Sequence, residues 1–346
     1  MEIKNKRQIS TDERGRQAIW GWANRLLWSI LIFVLSFDFV QAQSPIRLAV
    51  IDFAGDQGRE ISNLMRDAVT RFGSEMELLD DDLVRTAVNG AGYAGSVNLS
   101  RDDAKALGQS LGCDFYVLGK TLVARRLVGA KGDQFYFEAL AGLFFVETRT
   151  GKLSLFSFES AKAQAENQAK DQLKQRLRQA WPRYAEAIIA ARRLQAAASE
   201  KIEPGSSPVE VLTDDLIATG TEQPFFFQRI KPEYTEQADL ANIAATVELE
   251  AVFRDDGTVG EVEIVKWAGF GLDESAVATI KKLRFKSAER GGKKLTLKGL
   301  VRYNFRRPQS QAAQSESERQ EEIERLKRSL RDIKKTPSQI PDRPKP

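Results

Sequence analysis

Side chains able to do chemistry are scarce in this chain of 346 residues. It has no histidine, which removes His-based triads, the commonest general base near neutral pH, and nearly all catalytic zinc sites. Cys113 is the one cysteine, so neither an intramolecular disulfide nor a thiolate metal cluster can form. Beside the apolar run Phe115-Tyr116-Val117-Leu118 it reads as a buried structural thiol. Asp80-Asp81-Asp82 supplies oxygen ligands for a hard cation, but consecutive carboxylates point in different directions, and a helix N-terminus accounts for the run. Gly90-Ala91-Gly92-Tyr93-Ala94-Gly95 matches the dinucleotide fingerprint letter for letter. It follows a helix and opens none at once, so it reads as a loop. Gly119-Lys120-Thr121 has Asp114 where a phosphate-binding loop needs its first glycine. No carboxylate pair stands out, and the chain reads as a non-enzyme with no catalytic, cofactor-binding or metal-binding residues.

The elements around these residues are those of an α/β unit. Ile46 to Phe53 is a continuous apolar strand run closed by Ala54-Gly55-Asp56. Ile61, Leu64, Met65, Ala68, Val69 and Phe72 recur at helical spacing. A short strand at 76–79 precedes the helix opened by Asp80-Asp81-Asp82, and Ser100 is the N-cap of a further helix that Gly112 ends. A strand at 114–119 follows, then an antiparallel pair at 135–147 and 153–158. Residues 160–200 carry Ala169, Leu173, Leu177, Trp181, Tyr184 and Ile188 on one stripe that packs on the preceding sheet. Pro182 is expected to kink that helix or start a second one.

Charge narrows the partners. The chain holds 52 basic and 48 acidic residues for a net charge of +4, and 42% of it is apolar. That small surplus is no basic stripe, so nucleic acid is not an expected partner. Residues 1–42 read as a signal peptide or short membrane anchor: Lys4, Lys6, Arg7, Arg14, Arg16 and Arg25 precede an apolar core from Leu26 to Phe37, and Val40-Gln41-Ala42 fits a cleavage site. This twelve-residue core falls short of the roughly 20 residues that span a bilayer. Membrane contact is expected only through this segment if it is uncleaved. Residues 203–223, rich in Pro, Gly, Ser, Thr and Asp, read as a linker, and 307–346 as a charged tail, partly helical or disordered.

Two stretches resemble known families. Phe226-Phe227-Gln228-Arg229-Ile230-Lys231-Pro232-Glu233-Tyr234, an alternating strand at 246–253, the turn Asp255-Asp256-Gly257, a strand at 259–265, Gly271-Leu272-Asp273-Glu274-Ser275-Ala276, Leu283-Arg284-Phe285-Lys286 and a last strand at 295–305 follow in order. Residues 224–306 thereby resemble the C-terminal domain of TonB, a periplasmic module that grips outer-membrane receptors. The resemblance implies a small three-stranded antiparallel sheet with two helices, whose last strand is an exposed edge that pairs with an extended peptide of an outer-membrane or periplasmic protein. It points to Thr296, Lys298, Leu300, Arg302 and Asn304 as the protein-binding residues. The alternative is that this edge pairs with a second copy, giving a homodimer, or merely stays charged. Thr235, Ala245 and Ser287 stand where the family has proline, glycine and proline. Residues 46–160, with LAVIDFAG, LLDDDLVRTAV and LSRDDAKALGQSLGCDFYVLGK, resemble the CsgG-like and TolB N-terminal-like envelope domains, which places an α/β sheet domain with trailing helices over 46–200.

The expected whole is a two-domain α+β and α/β protein of the periplasm in a Gram-negative-type envelope, acting as an adaptor that binds protein partners. The alternative is an inner-membrane-anchored TonB-type energy transducer supporting TonB-dependent outer-membrane transport. The energised proteins carry a transmembrane histidine and a long Pro-rich spacer, and this chain has neither.

Overall fold

The computed structural model describes residues 44–128, 134–200, 210–212 and 220–307. The leader or anchor expected at 1–42, most of the stretch 203–223 and the tail beyond Arg307 lie outside the described residues. No described helix is long and apolar enough to cross a membrane.

The N-terminal half runs β1 (Ile46–Val50), α1 (Glu60–Arg71), β2 (Met76–Leu78), α2 (Asp81–Gly90), α3 (Arg101–Leu111), β3 (Phe115–Val128), β4 (Gln134–Glu147), β5 (Leu153–Ala163) and α4 (Glu166–Glu200). The strands form one sheet in the order β2-β1-β3-β4-β5. β1 is parallel to β2 and β3, and the β3–β4 and β4–β5 pairs are antiparallel. Local signals set the helix ends: Asp80 accepts from the Asp82 and Leu83 amides, Ser100 accepts from the Asp103 amide, and Gly112 closes α3 with φ 65°. β3 runs nine residues past the expected end at Gly119, because β4 pairs with it as far as Val128. The break expected at Pro182 does not occur; α4 passes through it as one helix. Pro182 is on the solvent face, so the carbonyl it leaves unpaired meets water, while buried Trp181 and Tyr184 hold the helix to the sheet.

The two faces of this sheet are covered differently. α1 and α4 bury one face, where Leu48, Phe115, Leu143 and Phe145 meet Met65, Val69, Leu177 and Tyr184. On the other face α2 and α3 cover β1 and β3, and the Tyr116 hydroxyl donates to the Ala104 carbonyl at 2.8 Å. The side chains Phe144, Phe156 and Phe158 of β4 and β5 are covered there by the C-terminal half.

That half runs β6 (Glu210–Val211), β7 (Phe225–Phe226), α5 (Glu236–Leu240), β8 (Ala245–Phe253), β9 (Val259–Lys266), α6 (Leu272–Ile280), β10 (Phe285–Lys286), β11 (Ala288–Arg290), β12 (Lys293–Leu295) and β13 (Leu297–Phe305). β9, β8 and β13 form the expected antiparallel sheet with two helices, but β6 adds a fourth, parallel strand beside β13. An ion pair of 2.7 Å between Glu210 and Arg290 fixes β6 there. Two ribbons, β7 with β10 and β11 with β12, complete the unit.

The halves share one hydrophobic core, and from Ile46 on the chain clusters as a single unit. Gly269, Phe270 and Gly271 have φ of 70°, 54° and 75°, so a phenylalanine sits in left-handed backbone at a cost of roughly 1–2 kcal/mol. Its fully buried ring lies 5.9 Å from Phe144, 5.0 Å from Phe156 and 5.8 Å from Phe158. A Cβ on Gly142 would stand 2.6 Å from that ring, so β4 needs glycine at this point. Asn98 acts as a polar clamp: its side chain donates to the Thr246 carbonyl at 2.8 Å and to the Trp267 carbonyl, and accepts from the Thr246 amide at 3.0 Å. Glu263 pairs with Arg101 and Lys152 at 2.7 Å each, and Arg126 donates to the Leu240 carbonyl at 2.6 Å. Thr235, where the resemblance had proline, donates its hydroxyl to the Phe270 carbonyl and accepts from the Ala238 amide. A proline offers neither bond.

Asp273 holds the turn from beneath. Its carboxylate is buried and accepts from the Ala268 amide at 2.8 Å and the Gly269 amide at 2.9 Å. Burial pushes it up to about 6, against the effect of the two amides. Because that value is raised above the ordinary 3.8, the stability it contributes is fully present below about pH 4 and is lost as pH rises through about 6. Two outcomes are expected. In urea unfolding, Phe270→Ala should lose ~3–5 kcal/mol in one transition common to both halves, and a loss under 1 kcal/mol would mean the shared core is not formed. The stability of the wild type relative to Asp273→Asn should fall by ~3 kcal/mol from below about pH 4 to about pH 7, and a flat difference would show that Asp273 titrates normally.

Candidate docking edge

β13 is built by strict alternation. Leu297, Gly299 and Phe305 are buried, with Val301 and Tyr303 half-buried on the same face, while Leu300, Arg302 and Asn304 are exposed on the other. It pairs with β8 over nine positions without a shift, from Leu297 opposite Phe253 to Phe305 opposite Ala245. Cross-strand contacts hold this register: Lys298 pairs with Glu250, Arg302 with Glu248 at 2.7 Å, and the Thr246 hydroxyl donates to the Asn304 side chain at 2.8 Å.

The other side of β13 is its edge. The Leu212 amide donates to the Lys298 carbonyl at 2.8 Å, so the main chain of Lys298 points away from β8. Backbone direction alternates along a strand, so Leu300, Arg302 and Asn304 also aim their N–H and C=O groups outward. β6 occupies this side only at Leu297 and Lys298. Among the described residues no strand pairs with positions 300–305 there.

Beside that open stretch runs the segment 224–234, and the two enclose a groove of about 880 Å³. Phe226, Ile230, Tyr234, Leu283, Val301 and Tyr303 give it apolar walls. Phe226 is anchored by ring contacts to Phe253 at 5.4 Å and Phe285 at 5.7 Å, and the Tyr234 hydroxyl donates to the Ile243 carbonyl at 2.6 Å. Phe225 and Phe227 are each 64% exposed and Leu300 is 56% exposed, an uncommon concentration of large apolar side chains in water. The charged side chains lining the groove are Arg229, Lys231, Arg302 and Arg306.

The expected binding residues are therefore distributed unevenly. Leu300, Arg302 and Asn304 lie on the open edge. Lys298 is on β13, but its outward main chain is taken by Leu212. Thr296 falls between β12 and β13, where its hydroxyl accepts from the Asp255 amide at 3.2 Å. The groove wall at 224–234 escaped the sequence reading as a binding surface; the run Phe225-Phe226-Phe227 was its one available signal.

The residues set aside as chemistry have structural surroundings. Asp81 forms ion pairs with Arg59 and Arg66 at 2.5 and 2.8 Å, and no cluster able to hold a metal occurs among the described residues. Cys113 is buried, and burial pushes its thiol up to about 11. Gly90 ends α2, and Gly92 and Gly95 lie in the following loop with positive φ.

With this geometry in place, comparison with known proteins identifies the module. Residues 230–306 match the family described as the C-terminal region of the Gram-negative bacterial TonB protein; this part of the chain is a TonB C-terminal module. Among solved structures, a hypothetical protein of Chlamydia trachomatis is 12% identical with a TM-score of 0.30, the match covering 42% of this chain and 99% of that one. A lipoprotein of Neisseria meningitidis is 14% identical with a TM-score of 0.30, covering 41% and 99%. The LpoB C-terminal domain of Salmonella enterica is 12% identical with a TM-score of 0.24, covering 37% and 89%. At these scores the likeness carries no functional inference. No curated protein matches the chain.

Proposed function

We propose that this protein is a non-enzymatic adaptor of the Gram-negative-type cell envelope, working in the periplasm, whose C-terminal module takes up an extended segment of a partner protein as an added strand on β13. The observation that carries this reading is the outward main chain of Leu300, Arg302 and Asn304, which no strand among the described residues pairs, beside an apolar groove. The match of residues 230–306 to the TonB C-terminal family supports both the envelope setting and the protein-binding role. Strand addition suits the site because each edge residue offers one donor and one acceptor at fixed spacing, while alternate side chains of the guest enter the groove. Main-chain hydrogen bonds contribute only roughly 0.5–1.5 kcal/mol net each, and ordering the guest works against them. Selectivity therefore falls to the groove. The N-terminal half then serves as the rigid body that presents the edge.

Leu300→Pro tests the reading. Proline at this position removes an outward N–H and leaves the ladder to β8 intact, as edge strands tolerate. The folded variant should bind a fluorescent peptide of alternating valine and serine at least about ten-fold more weakly, a loss of ~1.4 kcal/mol. Equal anisotropy titrations for variant and wild type would remove β13 as the docking strand.

A further inference from the structure

We infer that the outer face of the ribbon formed by β7 and β10 docks on an anionic lipid bilayer, a contact separate from residues 1–42 and independent of strand addition. The ribbon pairs Phe226 with Phe285 and Phe225 with Lys286, and the Phe227 amide donates to the Arg284 carbonyl at 3.2 Å. Alternation sorts these side chains onto two faces. Phe226 and Phe285 turn inward, where their rings lie 5.4 and 5.2 Å from that of Phe253. Phe225, Phe227, Arg284 and Lys286 turn outward, and all four are exposed. The rings of Phe225 and Phe227 stand 5.9 Å apart, each 64% exposed. Turning them inward would turn Phe226 and Phe285 out, so the ribbon cannot bury both pairs by itself. Phe227, Arg284 and Lys286 line no part of the groove beside β13.

Charge decides what covers these rings. Lys281 and Lys282 lead into the ribbon, so residues 281–286 carry four exposed cations and no acid. Lys281, Lys282 and Arg284 form no ion pair among the described residues, and Lys286 has only long contacts, 3.7 Å to Glu222 and 3.6 Å to Glu289. Asp255 and Asp256 stand at the neighbouring turn, where Asp256 already accepts from the Thr258 amide at 2.8 Å and its hydroxyl at 2.6 Å. Protein interfaces favour aromatic rings but are depleted in lysine. A bilayer surface takes both, because rings enter the boundary of the acyl chains while ammonium and guanidinium groups meet lipid phosphates. Each Lys or Arg beside an anionic surface strengthens binding about five-fold. Two rings and a few cations give reversible attachment of the C-terminal half rather than a permanent anchor.

Co-sedimentation of the chain from Gln43 onward with vesicles tests this. That chain keeps the whole unit that starts at Ile46, and it omits residues 1–42, whose own cations and apolar core would bind lipid. Vesicles of equal parts phosphatidylcholine and phosphatidylglycerol should bind at least about ten-fold tighter than phosphatidylcholine alone at low ionic strength. In about 1 M salt, where the screening length is roughly 3 Å, most of that difference should vanish. Phe225→Ser with Phe227→Ser, and separately Arg284→Gln with Lys286→Gln, should each weaken binding to the anionic vesicles at least about ten-fold. All four side chains are exposed, so both double variants should keep the wild-type midpoint in urea, and Leu300→Pro should bind vesicles as the wild type does. Equal binding to the two kinds of vesicle, or anionic binding that either double variant leaves at wild-type strength, would overturn the assignment and leave strand addition standing. Absence of vesicle binding, with a dimer that Phe225→Ser with Phe227→Ser dissociates, would give this face to a second copy and overturn it equally.

Discussion

The ring of Phe270, buried against Phe144, Phe156 and Phe158 on one face of β4 and β5, is the contact on which the arrangement of the two halves depends. Holding phenylalanine in left-handed backbone costs roughly 1–2 kcal/mol, while removing such a ring from a core costs ~3–5 kcal/mol. Burial outweighs the strain, and the flanking residues lower it further. Gly269 and Gly271 take positive φ without a Cβ penalty, and Gly142 leaves room opposite the ring. Asp273 and Thr235 then bond to the backbone of the turn from two sides.

Once Phe270 is seated, the rest of the C-terminal sheet has little freedom. Its β9 side faces the N-terminal half, through Glu263 with Arg101 and Lys152 and through the bridge between Ser100 and Lys266. Among the described residues, β13 beyond Lys298 is then the edge left open. A module swinging on a tether would have to be positioned as well as bound, whereas here the edge is oriented in advance and its ordering cost falls on folding. Exposed strand edges are also aggregation hazards, and proteins blunt them with charges or short covering segments. Both devices occur on β13: Lys298 and Arg302 along the strand, and β6 over its first two residues.

Much of the fold was legible locally. Asp80, Ser100 and Gly112 mark helix ends by chemistry that needs only near neighbours, and the stripe from Ala169 to Ile188 names the buried face of α4 by period alone. The alternation of β8 and β13 and the Asp256-Gly257 turn are equally short-range. Pro182 was misleading because the loss of one hydrogen bond is a local penalty, and the packing of Trp181 and Tyr184 exceeds it. Within the candidate site, the alternation pointed to Leu300, Arg302 and Asn304, but it could not reveal that Lys298 is already bonded by Leu212 or that Thr296 stands outside the strand.

By itself the sequence determined the absence of histidine and disulfide chemistry, the order of the longer strands and helices, and the match of residues 230–306 to the TonB C-terminal family. Each of these is a property of composition or of residues a few positions apart. The tertiary structure alone decided that the two halves share a core, that Glu210 and Val211 join the sheet, and that 224–234 forms a wall beside the open edge. Those outcomes join residues more than 60 positions apart, such as Gly142 with Phe270 and Val211 with Lys298. No periodicity encodes such pairs, because they depend on which apolar faces remain uncovered after the local elements have formed.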